Sequence, residues 1–205
     1  MIRGQLAERG IRDDRVLEAM LTVPRERFVP DDLQNAAYDD RALSVGMGQT
    51  ISQPYIVAYM TQELQIDGRH RVLEIGTGTG YQTAILAGLS RSVHTVERLV
   101  SLLRQAKRRL DDMGVANVSY RCGDGSLGWS DGAPFDRIMI TAGAPSVVSA
   151  CVDQLGDGGL LIQPVGEESS QRLVLVRRSG RTFTEHPLIG VRFVKLLGQD
   201  GFPID

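Results

Sequence analysis

The sequence predicts an α/β fold: a mostly parallel, doubly wound sheet with an antiparallel C-terminal edge and an N-terminal helical cap. Three observations predict it. Between residues 71 and 165, short apolar runs of strand length alternate with stretches whose apolar residues recur at helical spacing, the pattern of parallel strands joined by crossover helices. One such strand, residues 72–75, runs into Gly76-Thr77-Gly78-Thr79-Gly80 and then a helical pattern. Glycines placed this way let a strand turn sharply into a helix, because glycine accepts dihedrals that side chains forbid. After Pro164 the helical stretches cease while strand-like runs continue, which implies antiparallel strands added at one edge.

Residues 13–21 read as the first helix, capped by Asp13 or Asp14, with Val16, Leu17, Met20 and Leu21 on one face. Residues 23–30 form a proline-bounded connector with room for one helical turn. Residues 38–49 read as loop-like or extended. Pro54 suits the first turn of a helix running to about Leu64. Asp67-Gly68 is a turn before the glycine-loop strand. Residues 81–89 are helical and 93–96 a strand. Leu99, Leu103, Ala106, Leu110 and Met113 then make one apolar stripe, with Arg104, Lys107 and Arg108 largely off it, and Gly114 suits the position just past that helix. Strands follow at 118–122 and 135–141, a helix at 147–155 and a strand at 159–164. The runs at 173–176, 182–184 and 189–197 read as strands with no helix between them. The chain thus divides into a helical cap with a substrate loop (1–70), an α/β core (71–165) and C-terminal antiparallel strands (166–205). Nothing resembling a linker separates them, so 1–205 is expected to be one domain.

With 205 residues the chain is long enough for a well-buried core, and 42% hydrophobic and 23% charged residues are ordinary for a soluble globular protein. The 23 basic and 25 acidic residues leave a formal charge of −2, so no basic surface advertises nucleic-acid binding. The first nine residues interleave charges and do not read as a signal peptide, and no apolar run approaches a membrane span. Cys122 and Cys151 lie in apolar or strand-like surroundings without metal-ligand spacing, which reads as two reduced thiols in a cytoplasmic protein. His70, His94 and His186 are far apart and also lack ligand spacing, so no metal is expected. A monomer is the favoured expectation.

In open parallel sheets, ligands sit beyond the carboxyl ends of the strands. Three places fit that rule. The first is the turn carrying Gly76, Thr77, Gly78 and Gly80. Its G-x-G-x-G spacing is one residue shorter than the dinucleotide fingerprint. Glu74 just before it would repel a pyrophosphate but suits a cation or an amino group. S-adenosylmethionine offers a sulfonium and an ammonium and no phosphate, so the turn favours a methyl donor over a nicotinamide. The bland alternative is a tight turn with no ligand. The second place is Glu97, about 20 residues beyond the first glycine, where a carboxylate can take both ribose hydroxyls; it equally suits the first turn of the helix that follows. The third is Gly123-Asp124-Gly125. There Asp124 could accept an adenine amino group and Gly125 could admit the base, unless the pair is a simple turn. Tyr81-Gln82-Thr83 reads equally as a grip on the donor's polar end and as helix packing.

Gly48-Gln49-Thr50-Ile51-Ser52-Gln53-Pro54-Tyr55 resembles the signature loop of the protein-L-isoaspartate O-methyltransferases. Residues 74–82, Val96-Glu97-Arg98, Gly123-Asp124-Gly125, Pro134-Phe135-Asp136, Gly158-Gly159, Pro164-Val165-Gly166 and Val191-Arg192-Phe193-Val194 are similar to further blocks of that family, in order, from about residue 23 to 196. The glycine turn is shared with many methyltransferases; the 49–54 block is far more specific. The resemblance implies a Rossmann-like class I fold. It implies S-adenosylmethionine as methyl donor, held by Gln49, Thr50, Ile51, Glu74, Gly76, Thr77, Gly78, Gly80, Glu97, Asp124 and Gly125. It implies Ser52 as the active-site residue. Substrate contacts would come from Thr50, Ser52, Val191, Arg192 and Val194. The implied substrate is the free carboxylate of L-isoaspartyl residues in aged proteins and peptides, with no nucleic-acid or membrane partner. Two departures stand out: Lys195 where the family usually has proline, and Gly143 where alanine is more frequent.

Read without that resemblance, Ser52 is as good a cap for the Pro54 helix as a catalytic group. Three other functions remain open to the residues alone. One is a methyltransferase with another target, such as a dedicated peptide, an RNA or a small molecule. Another is a dinucleotide oxidoreductase, which the short glycine spacing opposes. The last is a non-catalytic scaffold.

Overall fold

The structure, a computed structural model, describes residues 1–203. Helix α1 (Asp14–Thr22) is capped by Asp13, whose side chain accepts from the amide of Arg15 at 3.0 Å. A hairpin of β1 (Leu43–Gly46) and β2 (Gln49–Ile51) follows, then α2 (Pro54–Glu63) with proline in its first turn. The core is β3 (Arg71–Ile75), α3 (Tyr81–Leu89), β4 (Ser92–Glu97), α4 (Val100–Asp112), β5 (Val118–Cys122), β6 (Phe135–Ile140), α5 (Ser149–Asp153) and β7 (Leu155–Glu167). Strands β8 (Ser170–Ser179) and β9 (Thr182–Val191) complete the sheet.

The seven-stranded sheet has the order β5-β4-β3-β6-β7-β8-β9, parallel through β7 and antiparallel at β8 and β9. The chain first winds outward through β4 and β5, then returns to place β6 on the other side of β3. That reversal opens a crevice at the carboxyl ends of β3 and β6, the usual ligand position in such sheets. Side chains alternate across the sheet. Val72 and Met139 pack with Met60 of α2, Leu64 just past it and Leu86 of α3, whereas Leu73, Ile75 and Ile138 pack with Val152 of α5.

The N-terminal cap shares a core with the α/β unit. Leu6, Val16, Met20 and Phe28 join Tyr81, Ile85 and Leu110 in one buried cluster, with Phe28 edge-on to Tyr81 at 5.4 Å. Residues 38–49, expected as loop-like or extended, supply β1 and the turn into β2. Two expectations need correction. The helix expected at 147–155 spans only Ser149–Asp153, and β7 begins earlier than expected, at Leu155. The separate strands expected at 182–184 and 189–197 form one strand, Thr182–Val191. It runs through Pro187, which an edge strand tolerates because one side of its backbone needs no partner.

Candidate functional site

The site begins where β3 ends. Gly76 (φ +98°) turns the chain, its amide donating to Val96 O at 2.8 Å. A Cβ on Gly76 would stand 2.3 Å from Thr141 Oγ1, so the turn is glycine for lack of room as well as for its dihedral. Thr141, at the end of β6, donates to the carbonyls of Ile75 (2.9 Å) and Gly76 (2.8 Å) and ties the turn across the switch point. Gly78 (φ +56°) has open space on its Cβ side, leaving bare backbone toward the crevice. Gly80 is the cap residue of α3; a Cβ there would press on Leu110 and Ala106 of α4, so it serves helix packing and does not line the crevice.

Glu97 ends β4 and is nearly buried. One carboxylate oxygen accepts the amide of Gly78 at 2.9 Å, the other the amide of Leu99 at 3.0 Å. Each oxygen keeps a second lone pair, so the group can still accept two donors from a ligand. Its two roles, brace and ligand grip, coexist.

The opposite wall comes from the hairpin. Gln49, Thr50, Ile51 and Ser52 line the same cleft as Gly76, Thr77, Gly78, Glu97 and Gly125. The hairpin tip, Gly46-Met47-Gly48, has three successive positive φ angles (+86°, +53°, +69°), and Met47 Sδ accepts from Ser101 of α4 at 3.4 Å. Ser52 is not the cap of α2. That position is Gln53, whose side chain turns away to Asp40, and no side chain caps the helix. Among the described residues nothing engages the Ser52 hydroxyl. Its carbonyl accepts from Arg25 Nη2 at 2.7 Å, while Arg25 Nε donates to Ala37 O at 2.7 Å. Arg25 is fully buried over the ring of Tyr81, and burial pulls its guanidinium below its ordinary value. It fixes the main chain at Ser52 from 27 residues away.

Two acids expected to hold the donor are engaged by the protein itself and do not line the cleft. Glu74 does not line the cleft; strand alternation turns it away from the side of Leu73 and Ile75. It is fully buried, and its Oε2 accepts from Thr83 Oγ1 and Thr95 Oγ1, both at 2.6 Å, while Oε1 has no partner among the described residues. Since the Thr95 hydroxyl proton goes to Glu74, the 2.7 Å contact between Thr77 and Thr95 is a donation from Thr77. Burial pushes the Glu74 carboxyl up to about 8, against the two threonine hydrogen bonds. A buried carboxyl that faces away from the cleft is not placed as a counter-ion for a sulfonium there. Asp124 likewise does not line the cleft. Its Oδ1 accepts the amide and hydroxyl of Ser126 (2.9 and 2.7 Å), and its Oδ2 the amide of Gln199 at 2.8 Å. Burial works against its charge, yet those bonds outweigh burial and hold the carboxyl below its ordinary value. Asp124 pins the C-terminal segment. Gly125 does line the cleft, but what demands glycine there is Ile75, whose Cγ2 would lie 2.4 Å from a Cβ.

The segment after β9 closes the last side. Leu196 N donates to Gly143 O at 2.7 Å and Gly143 N to Val194 O at 2.8 Å, which brings Phe193, Val194 and Lys195 to the rim. Val191 and Arg192 do not line the cleft; Arg192 is exposed. Lys195 reaches Glu168 at 2.9 Å. Tyr81 and Gln82 line the cleft, whereas Thr83 is turned inward to Glu74. Sequence reasoning missed Arg25 and Thr141. Thr141 could have been found from its place at a strand's carboxyl end; Arg25 carries no local signal.

A family model described as protein-L-isoaspartate(D-aspartate) O-methyltransferase matches residues 1–201. A protein-L-isoaspartate O-methyltransferase 2 of Marinobacter nauticus is 50% identical over 205 residues, covering 99% of this chain and 94% of the relative. A protein-L-isoaspartate O-methyltransferase of Parvibaculum lavamentivorans is 51% identical over 195 residues, 94% of this chain and 88% of its own. Among solved structures, a protein-L-isoaspartate O-methyltransferase superposes with a TM-score of 0.87 at 29% identity, over 98% of this chain and 67% of that one. A Plasmodium falciparum protein solved with S-adenosyl-L-homocysteine has a TM-score of 0.83 over 96% of both chains; at 24% identity that likeness is one of fold.

Proposed function

The chain belongs to the protein-L-isoaspartate(D-aspartate) O-methyltransferase family, and on that premise we propose that it moves a methyl group from S-adenosylmethionine to the free carboxylate of L-isoaspartyl residues in damaged proteins and peptides. The neighbouring backbone amide nitrogen attacks the ester carbonyl and expels methanol, closing a succinimide, and addition of water to the succinimide returns part of the residue to aspartate. In this reading residues 1–205 work as one domain and as a monomer in the cytoplasm, with isoaspartyl-containing proteins and peptides as partners.

The residues present suit such a donor. Gly76, Thr77 and Gly78 offer bare backbone, Glu97 has two acceptor positions left for ribose hydroxyls, and Ile75, Val96 and Leu99 give apolar walls. When bound, the donor supplies an electrophilic methyl carbon on a positively charged sulfur. The rest of the work is positional. The acceptor carboxylate has a reference pKa of about 3.5, so it is ionised at neutral pH and needs no general base. Holding it in line with the methyl carbon can supply several kcal/mol. Ser52, its hydroxyl not consumed by capping α2, donates to that carboxylate, and the amide end of α2 adds partial positive charge. Arg25 orients the Ser52 main chain. Gln49, Thr50 and Ile51 close the cleft over donor and acceptor, and Val194 meets the peptide. Val191 and Arg192 contact only residues flanking the isoaspartate.

The observation that carries this reading is that the Ser52 segment and the glycine turn line one cleft at the switch point of the sheet. Two measurements test it. Calorimetry should show S-adenosylhomocysteine binding and no heat with NAD. Label from a methyl-labelled donor should enter an isoaspartyl peptide; NAD uptake or an unlabelled peptide would sink the proposal.

A further inference from the structure

Away from the cleft, four arginines converge around a single acidic side chain. Arg104, Arg108 and Arg109 of α4 and Arg27 of the turn Arg25–Phe28 line a concavity of about 390 Å³ together with Gln105 and Asp112. Among the described residues none of the four is in an ion pair, although Asp112 shares the wall. Lys107 on the same helix behaves differently: it pairs with Asp111 at 2.7 Å. Arg27, Arg104 and Arg108 are exposed, whereas Arg109 is half-buried and donates to the carbonyl of Thr79 at 2.7 Å. Burial, and then the like charge of Arg27, pull the Arg109 guanidinium below its ordinary value. This gathering sits on a chain whose formal charge is −2, so it is local and not a reflection of bulk composition.

Like charges brought together repel, and a bound anion removes that cost. One carboxylate fills one guanidinium fork. Adjacent phosphates offer enough oxygens, in the right geometry, for several forks at once. The concavity falls in the range of volumes that hold small ligands. We propose that it is a second binding site, separate from the methyl-transfer cleft, for a small anion carrying adjacent phosphate groups: a free polyphosphate or the polyphosphate tail of a nucleotide. Arg109 links the two places, because the Thr79 it holds lines the cleft.

Calorimetry at low ionic strength tests this, with tripolyphosphate and ATP in separate arms and saturating S-adenosylhomocysteine present to block the cleft. The expected result is one saturable site in at least one arm, weakened about tenfold or more in the exposed double variant Arg104→Ala/Arg108→Ala. The unfolding midpoint of that variant should match the parent. Equal affinity in the two arms assigns recognition to the phosphates alone; tighter ATP binding adds the nucleoside. No saturable uptake in either arm, or equal uptake by the variant, overturns the proposal. So does tighter binding of an acidic peptide or an oligonucleotide than of tripolyphosphate.

Discussion

Ser52 and Glu97 divide the labour, and their variants should fail in different ways. Ser52→Ala removes one hydroxyl that holds nothing in the fold. Turnover should fall by roughly tenfold to a hundredfold, the loss of one charge-assisted hydrogen bond, while the Kd for S-adenosylhomocysteine stays unchanged. Glu97→Ala removes an acceptor that braces Gly78 and Leu99 and faces the cleft, so that Kd should rise on the order of tenfold to a hundredfold. Initial rates and calorimetry on both variants check the contrast. At this scale the sequence was partly legible. Glu97 could be found because its spacing from the first glycine is a property of one βαβ unit. Glu74 was misread because strand parity was not applied to it: with Ile75 on the cleft side, its neighbour must face the other way. The hold of Asp124 on the C-terminal segment was not legible because its partner, Gln199, is 75 residues distant. Arg25 was missed for the same reason, since its value lies in contacts 12 and 27 residues away.

Among the elements, the strand-turn-helix of β3 and α3 depends on a tight fit between Gly76 and Thr141. Gly76→Ala combines a positive-φ alanine with overlap at Thr141 Oγ1, and should cost about 2–4 kcal/mol of stability. Thr141→Ala alone should cost about 1 kcal/mol for its lost hydrogen bonds. The double variant should be more stable than the sum of the singles implies, because the overlap is then gone. Urea unfolding of the four proteins measures that coupling; strict additivity would show that Thr141 does not set the requirement for glycine. The elements of the α/β core were legible because their periods are long and regular. The hairpin was not: β2 has three residues, and glycines flank its tip. Nor was the continuity of β9, where Pro187 looks like a break until the strand is known to lie at an edge.

For the whole molecule, the buried Glu74 makes stability depend on pH in a definite direction. Burial pushes its carboxyl up to about 8 in the folded protein, against an ordinary value of 4.5 when unfolded. Between those values the native state binds more protons than the unfolded state, so this contribution is full below about 4.5 and is lost as pH rises through about 8. Glu74→Gln, which cannot titrate, should therefore gain on the parent in urea midpoint from pH 5 to pH 8, and the gap should level off above that. A gap that is flat across the range would mean that Glu74 is ionised throughout. The cap, the sheet and the C-terminal segment meet around one cleft, whose proposed activity is to esterify one kind of carboxylate. The most direct measurement uses an equimolar mixture of two peptides differing only in an L-isoaspartyl or an L-aspartyl residue, a methyl-labelled donor, and mass spectrometry to locate the label. The label should sit on the free carboxyl of the isoaspartyl residue as a base-labile ester. Label on the aspartyl peptide, on another side chain, or on neither peptide would contradict the account.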